Sequence, residues 1–73
     1  MAQLTHNDYE ALERALAKSS RVLVRRRGRQ DYVIIPLAFR TRDGRESIEA
    51  RNPTTGHELT IHLDEIDGIE AVS

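Results

Sequence analysis

DYVIIPLAFRTR, Asp31 to Arg42, contains the longest apolar run of the chain. From Val33 onward every second residue reads Val33, Ile35, Leu37, Phe39, the period of a strand that turns one face to a core. The alternate positions, Tyr32, Ile34, Pro36 and Ala38, are apolar as well, until Arg40 and Arg42. Pro36 has no N–H to give to a ladder in the middle of this run. A long strand lacking a donor halfway predicts a bent segment that pairs with one neighbour before the proline and another after it, as in small barrels. The odd-numbered side chains are expected inside.

The flanking residues extend this pattern. Arg21 to Arg27 alternates, with Val22 and Val24 on one face and Leu23, Arg25 and Arg27 on the other. With Gly28-Arg29 as a two-residue turn, Val24 falls opposite Val33 and Val22 opposite Ile35, while Leu23 meets Ile34 and Arg25 meets Tyr32 outside. Asp43-Gly44 predicts a type I′ turn, which sets Phe39 opposite Ile48 and Leu37 opposite Ala50. A strand over Glu46 to Asn52 then leads into a loop from Pro53 to Gly56. Beyond it Leu59 falls opposite Ala50 and Ile61 opposite Ile48. Asp64 to Asp67 reads as a short turn or single 3₁₀ turn, and Gly68 to Val72 as a last short strand.

At the other end, Thr5 is placed as an N-cap, with Asp8 three residues on to reach back and Leu4 to pack on Tyr9. Tyr9, Leu12 and Leu16, with Ala11 and Ala15, form one apolar stripe. The expected architecture is α+β in a single domain over 1–73. A helix over about 5–19 precedes a five-stranded, strongly bent antiparallel sheet over about 21–72, forming a small barrel. At 73 residues folding buries roughly 60–65% of the chain's extended surface. Without cysteine, packing or association must supply the stability.

A net charge of −1 hides an uneven distribution. Residues 21–51 carry nine arginines against four acids, whereas residues 52–73 carry five acids and no Lys or Arg. Arginine outnumbers lysine ten to one, a choice that suits phosphates, carboxylates and stacking. No run approaches the roughly 20 apolar residues that span a bilayer, and the N-terminus lacks a signal-peptide pattern. The expectation is a cytoplasmic protein with no membrane contact.

Pro36-Leu37-Ala38-Phe39, Arg42 to Ala50 and Thr60 to Ile66 together resemble the core of the WYL domain, an Sm-like barrel of bacterial regulators of transcription and defence. The namesake Trp-Tyr-Leu falls at Glu46, Ser47 and Ile48, and the family's usual basic residue at Glu65, so no site residue is carried across. More loosely, Asn7 to Glu13 followed by such a barrel ending in Leu63 to Ile66 is similar to small bacterial proteins that inhibit the Rho termination factor. Both resemblances imply an Sm-like or SH3-like barrel that binds and does not catalyse, with a protein partner in the transcription machinery implied by the second.

Catalytic chemistry needs convergent groups, and the pattern offers none. His57 and His62 have opposite parity on one strand, and Asp64, Glu65 and Asp67 do not follow calcium-loop spacing. No metal or cofactor is expected. The arginines are the candidate site: Arg25, Arg27 and Arg29 at one hairpin and Arg40, Arg42 and Arg45 at the other, with Tyr32 as the one platform for a stacked base. They predict a regulatory module that binds RNA or single-stranded DNA. The alternative is a protein interface on an outer apolar group including Leu23, Tyr32 and Ile34, used for a partner or for self-association into a homo-oligomer, unless the helix lies across it.

Overall fold

The computed structural model describes residues 4–72. Helix α1 runs His6–Lys18, and the strands are β1 Val22–Arg26, β2 Tyr32–Arg42, β3 Arg45–Arg51, β4 Glu58–His62 and β5 Ile66–Ala71, with a 3₁₀ turn at Leu63–Glu65 before β5. The helix starts where its capping residues place it. The Thr5 hydroxyl accepts from the Asp8 N–H at 3.2 Å, and the Asp8 carboxylate accepts from the Thr5 N–H at 2.8 Å. Leu12 and Ala15 on its stripe are buried, with Leu4, Ala11 and Leu16 packed beside them.

The strands form one antiparallel sheet in the order β4-β3-β2-β1-β5. Strand β2 is shared, as its length and proline predict. Tyr32 to Ile34 pair with β1, and Ile35 to Arg42 pair with β3. The Asp43-Gly44 turn has positive φ at both residues, 53° and 74°, the type I′ geometry. The expected pairs Phe39–Ile48, Ala50–Leu59 and Ile48–Ile61 all form. The last strand begins two residues earlier than expected, at Ile66.

The face assignment of β2 is corrected. Ile34 and Pro36 are buried, whereas Val33 and Leu37 are 40% and 41% exposed and Phe39 is 37% exposed. One local event reverses the parity and a second restores it. The β1–β2 connection is one residue out of step with a two-residue turn, so Val22 pairs with Ile34, Leu23 with Val33 and Val24 with Tyr32. The connection is tightened by the Arg29 N–H donating to the Arg26 carbonyl at 3.4 Å, with Gly28 at φ 65°. Then Pro36 pairs with Ala50 and Ala38 with Glu49, leaving Leu37 as an extra residue in a β-bulge. The bulge shifts the inward position from Pro36 to Phe39, opposite Ile48, and keeps Arg40 and Arg42 outside.

The sheet does not close into a barrel. Strands β4 and β5 are its two edges, with no pairing between them among the described residues. Along β5, the Ile69 N–H donates instead to the Asp8 carboxylate at 3.1 Å, which ties the start of α1 to this edge. Core side chains come from every element: Leu12 and Ala15, then Val22, Val24, Ile34, Ile48, Ala50, Ile61, Leu63, Ile66 and Ile69. Burial of each Leu, Ile or Val stabilises by roughly 1.5–3 kcal/mol. The helix therefore covers the even-numbered face of β1 and of the first part of β2, and Leu23 and Val33 point the other way.

Candidate functional site

The two arginine hairpins are not a free basic surface. Arg25 pairs with Glu70 across the β1–β5 ladder. Arg27 Nε lies 3.7 Å from Asp67 Oδ1, and its N–H donates to the Glu65 carbonyl at 3.2 Å. Arg40 Nε lies 2.6 Å from Glu49 Oε1. Arg45 grips Asp64 through two bonds, Nε to Oδ2 at 3.0 Å and Nη2 to Oδ1 at 3.2 Å. Three of these four carboxylates belong to the acidic C-terminal segment, so folding offsets part of the charge imbalance of the sequence.

The Arg45 bridge holds the Asp64 carboxyl below its ordinary range, against the opposing effect of burial, and raises the Arg45 guanidinium. These side chains are exposed, and such pairs orient groups more than they stabilise. Arg29 and Arg42 make no ion pair among the described residues. The 3₁₀ turn separates the hairpins. Asp64 pairs with Arg45 and, with Glu65, borders the depression lined by Arg26, Arg27 and Arg29.

Tyr32 does not sit beside Arg25 on the outer face. It lies opposite Val24, and the Arg26 guanidinium covers its ring at 3.7 Å from the centroid, a cation–π contact. Arg26 was absent from the sequence-based site, although it continues the inward row Val22, Val24. With the register one residue on, that row leads to Tyr32. Of the expected apolar contact group, Ile34 is in the core and Leu23 is half-buried. The exposed apolar side chains of this outer face are instead Val33, which pairs across the ladder with half-buried Leu23, and Leu37 further along β2.

One convergence survives on the outer face of β2, β3 and β4. The ladder aligns Arg40 with Ser47 and Ser47 with His62. Arg42, Asp43, Arg45, Glu49 and Thr60 complete an open depression of about 370 Å³. The His62 Nδ1 is shielded from solvent and has no hydrogen-bond partner among the described residues; such an orphan costs about 1–3 kcal/mol. His6 lies 2.8 Å from Glu10 on α1, far from this face in sequence. No three His, Asp or Glu side chains gather as metal ligands among the described residues, and no helix among them is long and apolar enough to cross a membrane. Comparison with family models, with curated proteins and with solved structures finds no match to the chain.

Proposed function

We propose that this chain is a non-enzymatic regulatory binding module with an Sm-like arrangement of helix and bent sheet, and that it docks on a protein partner through the outer face of β1 and β2. The observation that supports this most is the Leu23–Val33 pair on the face opposite the helix, with Val33 40% and Leu37 41% exposed. Apolar groups left in water on so small a domain mark contact sites. The Arg25–Glu70 pair beside Leu23 and Arg51 opposite Ile35 supply the polar rim such interfaces have. The shared β2 and the helix-first order support the Sm-like description.

The test is affinity capture from the source organism with the wild-type chain and with Val33→Asp/Leu37→Asp. The expected outcome is a partner retained by the first and lost by the second at unchanged circular dichroism. A partner set indifferent to both substitutions overturns the proposal.

A second reading, binding of RNA or single-stranded DNA, is favoured by the gathering of Arg40, Arg42 and Arg45 around Ser47 and His62. It predicts oligonucleotide affinity that falls steeply with salt and drops with Arg42→Glu. Affinity insensitive to either change overturns it.

A further inference from the structure

We propose that β4 is a self-recognition edge, through which two copies of this chain pair antiparallel along Glu58–His62 with Thr60 on the two-fold axis. At the root of the β3–β4 hairpin the Asn52 N–H donates to the His57 carbonyl at 2.8 Å. In an antiparallel ladder bonded and non-bonded pairs alternate. Bonded pairs therefore fall at Ala50–Leu59 and Ile48–Ile61, and non-bonded pairs at Arg51–Glu58, Glu49–Thr60 and Ser47–His62. Glu58, Thr60 and His62 thus turn their N–H and C=O groups away from β3, toward an edge on which no other strand pairs among the described residues.

This edge is complementary to itself. With Thr60 opposite Thr60 of a second copy, every outward N–H meets a carbonyl at all three positions. Glu58 faces His62 of the second copy twice, and Leu59 faces Ile61 twice on the core side. Sliding the pairing by two residues in either direction leaves one position unpaired, and an in-register parallel pairing sets Glu58 beside Glu58. An isologous dimer requires this kind of self-complementarity, and cross-strand acid–histidine and Thr–Thr pairs favour it. Strand β4 also carries no proline, lysine or bulge, three of the usual guards of an edge. The orphaned His62 Nδ1 belongs to the same strand. The other edge is partly occupied, because the Ile69 N–H on β5 is held by Asp8 at 3.1 Å. A second copy therefore meets β4 with its own β4, not with β5.

This proposal is independent of the apolar face. Its test is sedimentation equilibrium of the full chain from micromolar to millimolar concentration. The expected result is a reversible dimer whose dissociation constant rises at least about tenfold in Thr60→Pro, which removes an N–H that β3 does not use. Glu58→Lys is expected to weaken the dimer, and Glu58→Lys combined with His62→Glu to restore it; this pair carries the test if the proline variant fails to fold. A monomer at every concentration overturns the proposal. So does a dimer that survives these changes, and one lost only with Leu37→Asp assigns association to the apolar face instead.

Discussion

The two edges of the sheet are built differently. Along β5 the Asp8 carboxylate caps the first turn of α1 with one oxygen and accepts the Ile69 N–H with the other. One side chain thus starts the helix, docks it and occupies a strand edge. Along β4 nothing comparable is present among the described residues, and Glu58, Thr60 and His62 present their backbone groups outward. Unpaired edges invite addition of further strands, so a molecule that guards one edge and leaves the other bare has a direction in which it can grow. The helix thereby serves as much to restrict association as to complete the core.

The largest effect is expected where both edges become alike. Leu12→Ala removes the central side chain of the helix stripe, 1% exposed, and is expected to cost about 3 kcal/mol in urea unfolding. It should also raise light scattering as β5 loses its cover. Asp8→Ala strikes the guard directly: about 2 kcal/mol is expected from the loss of hydrogen bonds to a charged group, with concentration-dependent association that Thr60→Pro does not suppress. Thr5→Ala, which loses only the cap, should cost about 1 kcal/mol and leave the oligomeric state unchanged. At the small end, Arg27→Ala breaks a long, exposed ion pair to Asp67 near the start of β5. It should change stability by about 0.5 kcal/mol or less in a thermal melt.

Acid sharpens the same contrast. Burial tends to raise the Asp8 carboxyl, but amide donors from Thr5 and Ile69, the Thr5 hydroxyl and the charge of Arg25 outweigh it, and the group sits below its ordinary 3.8. A carboxyl depressed in the folded state contributes stability that is present above the unfolded value and lost as pH falls through the folded one. Urea midpoints should therefore fall between about pH 5 and about pH 2, and fall less steeply in Asp8→Asn. An equal slope in both proteins counts against Asp8 as the guard of β5.

Much of this architecture was legible in the residues, because it is locally encoded. Thr5 and Asp8 are three apart, Asp43-Gly44 closes its own hairpin, and Ile48, Ala50, Leu59 and Ile61 alternate with polar neighbours that leave one choice of inner face. The orientation of β2 was not legible, for a physical reason. From Tyr32 to Ala38 both parities are apolar, so burial does not discriminate between them. The decision falls instead to an extra residue in the connection before the strand and to the bulge at Leu37. The arginine site was misread for a different reason. Glu70 and Asp64 lie 45 and 19 residues from the arginines they neutralise, and only the folded topology brings them together.

The bulge at Leu37 also fixes the reading frame of the sheet. Were the strand to pair straight through this point with Leu37 in the ladder, the inward row would run on through Ala38, Arg40 and Arg42 and set two guanidinium groups on the core side. Substitutions at Leu37 leave the frame intact. The extra residue thus lets one strand bury Ile34 and Pro36 and still set Phe39 on the core side, opposite Ile48.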